Sequence, residues 1–241
     1  MGGFHDFDAK CVFFQQTEIL CGEIPMIHAE MSREAAQARV RELRGRISRL
    51  SPDALDMILS DARSHYAWSN RPVPESLLRE IFDITIQGPT SMNSCPARFF
   101  FVTSEEGKDR LAKSLKAKNI DKMRSAPVTA IIAHDLAFWE RLPDLFPHED
   151  RRHLFIGKDA HIESTAFRNG TLQGAYFMIA VRALGLDVGA MSGFINEIVD
   201  EEFFAGTSLK SNFLVNFGYA DESALFGKLP RFSFDDVCEI L

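Results

Sequence analysis

The spacing of apolar residues along the chain predicts several helices. Residues 32–50 combine Arg, Glu and Ala with apolar side chains at helical spacing, which indicates a charged helix. Ser51 and Pro52 are residue types that begin helices, and this second helix is predicted to run to about residue 63. Residues 75–87 place Leu, Ile and Phe on one face, and residues 158–184 predict a long helix.

Short apolar runs predict strands between these helices. The runs lie at residues 98–102, 126–133 and 213–219. A helix capped by Ser104 follows the first run, and a short helix is predicted at residues 196–204. Because helices and strands alternate irregularly, the pattern predicts one α/β or α+β domain.

Composition excludes several classes of protein. The chain has 241 residues, 46% of them hydrophobic, and its 21 Phe residues exclude disorder over most of its length. With 27 basic and 34 acidic residues, the net charge of −7 repels a phosphate backbone, so we expect no nucleic-acid partner. No apolar run approaches the roughly 18–20 residues that span a bilayer, so we also expect no membrane partner.

The N-terminal segment, the cysteines and the histidines bear on domain bounds, cellular location and metal binding. The first 30 residues lack periodicity, and residues 1–45 are predicted to be a poorly ordered N-terminal extension of a domain at residues 46–241. This start does not resemble a secretory signal, and the four cysteines show no CxxC spacing, so we expect reduced thiols and a cytoplasmic protein. No metal is predicted, because His148 and His153 are five positions apart and do not share a helix face.

Two cationic segments, far apart in the chain, have the chemistry of a phosphate site. Arg63 offers a forked set of donors and Ser64 a hydroxyl, although a surface Arg paired with a neighbouring acid is the commoner arrangement. Lys228 and Arg231 supply two further cations near the C-terminus.

Three other segments offer amide and hydroxyl donors. The loop at residues 89–93 is rich in turn residues, and Asn119 and Lys122 share one helix face. Residues 189–193 begin and end with glycine, so their backbone N–H groups can approach a ligand closely. An ordinary turn remains the alternative interpretation of the loop at residues 89–93, and a solvated helix face remains that of Asn119 and Lys122.

In this order, the segments resemble the FMN-dependent nitroreductase family, and most closely its branch of malonic semialdehyde reductases of pyrimidine degradation. The resemblance covers roughly residues 52–241. It is most specific in residues 88–99, 140–148, 165–169, 183–187, 191–194 and 209–212.

The resemblance implies a fold, an assembly and a set of site residues. The fold is α+β in three layers, with a central mixed sheet flanked by helices, in a homodimer that binds FMN at its interface. Twelve positions match flavin-binding positions of the family. They are Arg63, Ser64, His65, Lys228 and Arg231 on the phosphate side, Thr90, Ser91 and Asn93 in a loop lent by the other subunit, Asn119 and Lys122 at the pyrimidine edge, and Ser192 and Gly193 near flavin N5 and O4.

The resemblance also implies the reaction. NADH or NADPH reduces FMN and leaves, and flavin N5 then passes hydride to malonic semialdehyde, giving 3-hydroxypropanoate by a ping-pong scheme. No side chain is expected to act as a nucleophile, because the flavin carries the hydride. Arg141, His148 and Arg152 lie in the region that would hold a substrate carboxylate, although a solvated loop explains them at least as well. A broad-specificity nitro or quinone reductase and a non-catalytic flavin-binding protein are the alternatives.

Three positions depart from the family pattern. Tyr66 or Ala67 stands where many relatives carry a second basic residue. Cys95 occupies a position that is often Gln, and Ala97 one that is often Trp. The last two changes are expected to alter or open the substrate side of the site.

Overall fold

The structure is a computed structural model that describes residues 32–241. The predicted loosely ordered segment at residues 1–30 therefore lies outside the described residues. Contacts divide the chain into two units, Met1–Leu50 and Ser51–Leu241. The described part of the first unit is helix α1, Arg33–Arg46, which begins where the Ser32 hydroxyl accepts a 3.2 Å hydrogen bond from the Ala35 amide. The domain boundary at residue 46 stays a prediction.

The second unit is built around a four-stranded sheet. The strands are β1 Ala97–Val102, β2 Val128–Asp135, β3 Asp187–Met191 and β4 Leu209–Gly218, in the spatial order β1-β2-β4-β3. All three ladders are antiparallel. A parallel bridge joins Ser64 to Val188 and adds the backbone near residue 64 to the outer side of β3.

Helices cover both faces of this sheet. Their bounds are α2 Pro52–Leu55, continued by a π-helical turn at Asp56–Ser60, α3 Glu75–Thr85, α4 Glu105–Ala112, α5 Ala117–Ser125, α6 Leu142–Leu145, α7 Asp159–Ala183, α8 Asn196–Phe204 and α9 Phe234–Val237. Helices α3 and α7 contribute to the core on one face, and α4, α5 and α8 to the core on the other. The predicted three-layer arrangement is confirmed, whereas the sheet predicted to be mixed has antiparallel ladders between its four described strands and one parallel bridge at Ser64.

Strand β2 shows why the sheet is buried on both sides. Ala130 and Ile132 belong to the core with α3 and α7, whereas Ile131 and Ala133 belong to the core with α4, α5 and α8. Since successive strand residues point to opposite faces, a continuous apolar run fits a strand that is covered twice.

The small residues of α7 face the sheet and not another helix. A Cβ on Gly170 would lie 2.9 Å from the Cβ of His134, and one on Gly174 would lie 2.5 Å from the Phe213 ring. These glycines therefore let α7 pack closely on β2 and β4.

Two predicted boundaries differ in ways that affect the site. The helix predicted to reach residue 63 ends at Ser60, after which the chain runs extended towards residue 69. The glycine-flanked segment at residues 189–193 is partly strand β3. No strand was predicted here, since glycine is uncommon within strands, but in this strand a glycine permits close approach of another backbone.

Helix α3 offers a matched test of the core. Ile81 is fully buried in the core with α7, whereas Ile84 on the same helix is 44% exposed. Changing Ile81→Ala should lower the free energy of unfolding by about 2–5 kcal/mol through lost burial and a residual cavity. The control Ile84→Ala should cost less than about 1 kcal/mol. Urea denaturation measures both, and equal losses would contradict this packing.

Candidate functional site

The segment around residue 65 lies directly against strand β3. The His65 amide donates a 3.0 Å hydrogen bond to the carbonyl oxygen of Val188. The His65 carbonyl oxygen lies only 2.3 Å from where a Cβ on Gly189 would be, so a larger residue there would push the two backbones apart. The glycine at position 189 is thus explained by the close approach of His65, and the predicted ligand approach of residues 189–193 stays a prediction.

Asp187 fixes both the imidazole of His65 and the chain that follows β4. One carboxylate oxygen of Asp187 lies 3.3 Å from Nε2 of His65. Its other oxygen accepts a 3.0 Å hydrogen bond from the Ala220 amide. Asp187 was not among the predicted site residues, and its signal in the sequence was only its place at the end of the 183–187 stretch.

Helix α5 reaches the backbone just after β3 through Asn119. The Asn119 side-chain amide is 6% exposed and donates a 3.0 Å hydrogen bond to the carbonyl oxygen of Gly193. A Cβ on Gly193 would lie 2.6 Å from Nδ2 of Asn119. This glycine is therefore explained first by its contact with Asn119.

Lys122, one helical turn further along α5, reaches the segment beside β3. Its ammonium lies 4.3 Å from the centre of the Tyr66 ring. Within residues 32–241, no carboxylate lies within 4 Å of this ammonium. The Tyr66 ring in turn meets Phe226 edge-on, with 6.0 Å between ring centres.

These contacts gather one group of predicted residues around β3. We call this group the β3-edge cluster. It consists of Ser64, His65, Tyr66, Asn119, Lys122, Ser192 and Gly193. Tyr66 is the member that sequence reasoning recorded only as a departure from the family pattern.

The loop with Thr90, Ser91 and Asn93 is anchored elsewhere, on helices α6 and α7. The Ser91 amide donates a 2.8 Å hydrogen bond to the Asn169 side chain on α7. The Asn93 side-chain amide donates a 2.8 Å bond to the carbonyl oxygen of Leu145 on α6. The hydroxyl of Thr90 accepts a 3.2 Å bond from the Cys95 amide. Each of the three predicted residues thus has a partner within the same chain.

Buried polar groups occur in the same loop. The hydroxyl of Ser94 is buried and has no hydrogen-bond partner within the described residues. Burial raises the pKa of the Cys95 thiol, while the hydrogen bond with Thr90 and the charge of Arg98 oppose this rise. Cys95 therefore stays a neutral thiol at neutral pH, which argues against a nucleophilic role. Ala97 is buried in β1, so of the two changed positions only Cys95 retains partial exposure.

Arg63 and Arg231, two of the predicted phosphate cations, each donate to carbonyl oxygens of their own chain segment. The guanidinium of Arg63 turns back to the carbonyl oxygens of Asp61 and Ala62 and lies 3.7 Å from the Asp61 carboxylate. Arg231 donates to the carbonyl oxygens of Leu229 and Pro230 at 3.0 and 2.9 Å, within the exposed segment that carries Lys228.

The candidate carboxylate-binding residues are mostly paired with nearby acids. Arg141 lies 2.8 Å from Asp144, and Arg152 forms a bidentate pair with Asp150. The hydrogen bonds from Arg152 lower the pKa of Asp150 to about 2. Both guanidinium groups would have to leave these partners to bind a substrate. His148 packs against the Phe146 ring.

Across residues 32–241, no three His, Cys, Asp or Glu side chains are placed to share a metal ion. None of the helices in that range combines the length and apolar character needed to cross a membrane.

Comparison with known proteins identifies the family. A sequence model of the nitroreductase family matches residues 59–219. The chain belongs to the nitroreductase family. A Burkholderia lata protein, provisionally named an NADH dehydrogenase/NAD(P)H nitroreductase, is 55% identical over 191 residues, which are 79% of this chain and 98% of that protein.

Solved structures show the same nitroreductase fold. A provisionally named nitroreductase from Exiguobacterium sibiricum, in complex with FMN, matches with a TM-score of 0.70 at 19% identity and covers 80% of this chain and 99% of its own. A provisionally named NAD(P)H:FMN oxidoreductase from Staphylococcus epidermidis gives a TM-score of 0.69 at 19% identity, over 79% and 97% of the two chains. The predicted family and fold class are confirmed.

The contact between Asn119 and Gly193 is testable without a ligand. Asn119→Ala removes a buried hydrogen bond, and Gly193→Ala displaces its donor, so each should destabilise the protein by about 1–3 kcal/mol. Because both changes break the same bond, the double variant should lose little more than either single variant.

Thermal or urea unfolding measures these three variants. Gly45→Ala serves as the control, since a Cβ there meets no atom within 4 Å. Fully additive losses in the double variant would show that the two residues do not act together.

Proposed function

We propose that this nitroreductase-family enzyme uses FMN and NAD(P)H to reduce a small carbonyl acid, with malonic semialdehyde as the specific substrate. The overall reaction converts malonic semialdehyde, NAD(P)H and one proton into 3-hydroxypropanoate and NAD(P)⁺. FMN, when bound, accepts hydride from the nicotinamide and passes it to the carbonyl carbon. As a member of the nitroreductase family, the protein is an FMN-dependent NAD(P)H oxidoreductase.

The observation that carries the flavin assignment is the ammonium of Lys122 above the Tyr66 ring, with no carboxylate within 4 Å among the described residues. A flavin ring gains negative charge when it is reduced, and a nearby cation stabilises that charge. The side chain of Asn119 and the backbone beside Gly193 supply the amide groups that suit the polar edge of such a ring. The donors of the β3-edge cluster therefore fit FMN.

The phosphate of FMN is assigned to cations from both ends of the sequence. Arg63 precedes the β3-edge cluster directly, and Lys228 and Arg231 lie in the exposed C-terminal segment. A phosphate carries nearly two negative charges at neutral pH, so more than one cation is needed to balance it.

A second copy of the chain is part of the proposal. The C-terminal segment exposes apolar side chains that an isolated monomer would leave in water. Those at least 61% exposed are Phe226, Leu229, Phe232, Phe234, Val237, Ile240 and Leu241. In the proposed homodimer this segment packs on the partner. The loop with Thr90, Ser91 and Asn93 contributes to the flavin site of the partner, so that each half contains one flavin site.

A second candidate function is broad reduction of nitro compounds or quinones. The 55% identical Burkholderia lata relative favours it, because its name describes an NAD(P)H nitroreductase. The small-acid substrate is supported instead by the sequence resemblance to malonic semialdehyde reductases. The non-catalytic alternative has no support from the family assignment.

The cofactor assignment predicts a yellow protein with a defined phosphate site. Arg63→Ala and Arg231→Ala should each raise the dissociation constant for FMN by about tenfold or more, since each removes a charge-assisted hydrogen bond. The measurement is fluorescence quenching of FMN during titration with apoprotein. Arg79→Ala, which removes an exposed cation paired with Glu75 on α3, is the matched control. If the Arg63 and Arg231 variants both bind FMN as tightly as the parent, the phosphate assignment is wrong.

The substrate assignment predicts discrimination by the carboxylate. Malonic semialdehyde should be reduced with a kcat/KM at least about tenfold above that of propanal, which has the same carbonyl but no acid group. Steady-state assays with NADH and with NADPH measure this, with a simple quinone and a nitroaromatic in parallel. Turnover of the quinone as fast as the semialdehyde would favour the broad-specificity function.

A further inference from the structure

Tyr66 occupies a rigid position at the centre of the β3-edge cluster. The preceding residue, His65, is held by its amide bond to Val188 and by the Asp187 carboxylate. Just after it, the Ala67 carbonyl oxygen accepts a 3.1 Å hydrogen bond from the amide of Asp221. The backbone at Tyr66 is therefore fixed from both sides.

Lys122 has a fixed backbone but a long side chain that needs support. The carbonyl oxygen of Lys122 accepts a 3.2 Å hydrogen bond from the side chain of Asn216 on β4. Asn216 is itself buried and accepts a 2.7 Å bond from the Thr129 hydroxyl on β2. These bonds place the helix turn on the sheet, but they leave the four-carbon side chain of Lys122 free to rotate.

The Tyr66 ring supplies the missing support for the ammonium. At 4.3 Å from the ring centre, the ammonium is within the range of a cation–π interaction. The edge-on contact of Phe226 on the other side of Tyr66 limits rotation of the ring.

A neutral aromatic ring, unlike a carboxylate, does not neutralise the positive charge of a lysine ammonium. Three lysines elsewhere in the described chain are paired with acids, among them Lys113 with Glu202 at 2.6 Å and Lys108 with Glu105 at 3.2 Å. Those ion pairs cancel most of the charge that a ligand would experience. The ring of Tyr66 holds the ammonium without neutralising it, so its field remains available.

We propose that Tyr66 is a positioning residue that holds the Lys122 ammonium for the flavin and thereby raises the reduction potential of the bound FMN. This inference rests on the proposed function, because it requires the flavin to lie beside Lys122. Tyr66 is one of the two positions, with Ala67, at which the sequence resemblance places the second basic residue of many relatives. In this chain, an aromatic side chain that directs Lys122 replaces that second charge.

The test is the two-electron midpoint potential of bound FMN in the holoenzyme, measured by equilibration with reference dyes. Lys122→Met should lower the equilibrium constant for flavin reduction by about tenfold, which is about 30 mV for a two-electron couple. Tyr66→Leu should lower it in the same direction, whereas Tyr66→Phe, which keeps the ring face, should retain the parental value. Tyr219→Leu is the matched control, because it removes a different cation–π pair, the one with Arg71 at 3.7 Å.

The double variant Tyr66→Leu/Lys122→Met separates positioning from any independent effect of Tyr66. If Tyr66 acts through Lys122, the double variant should have the potential of Lys122→Met alone. An additional decrease in the double variant, or a Tyr66→Leu shift no larger than that of Tyr219→Leu, would overturn the proposal. An unchanged potential in Lys122→Met would overturn it by showing that the flavin does not lie beside this lysine. A protein that binds no FMN would instead refute the proposed function.

Discussion

The close approach of the chain at His65 to strand β3 is the contact on which the candidate site depends. It requires a glycine at position 189, because a side chain there would collide with the His65 carbonyl oxygen. With the two backbones in contact, the His65 imidazole reaches Asp187 and the next residue, Tyr66, faces Lys122. A larger distance between these two backbones would break the contact of His65 with Asp187 and that of Tyr66 with Lys122, although Gly189 takes part in neither.

The sheet separates the predicted site residues into two groups. Asn119 and Lys122 come from a helix on one face, and their contacts lie at the β3 edge. The loop around Ser91 is anchored on α7, whose core residues cover the other face. This arrangement is compatible with the proposed homodimer, in which the loop would contribute to the flavin site of the partner.

Much of the fold could be predicted from local patterns. The short helix Asn196–Phe204 was predicted with its observed bounds, and Ser104 caps α4 as expected, accepting a 3.1 Å bond from the Gly107 amide. The end of α2 was predicted too far along the chain, and strand β3 was not predicted. At those positions glycines and polar residues permit several local structures, and contacts between distant segments select one of them.

The sequence by itself determined the elements with strong periodicity, the family resemblance and the residue types available for a flavin. Local periodicity carries this information because it depends on neighbours within a few positions. Only the tertiary structure decided which residues meet. The pairing of Lys122 with Tyr66, and of His65 with Asp187, joins segments that are far apart in the chain. Such contacts depend on how the whole sheet assembles and on which faces the helices cover, and no local pattern encodes that.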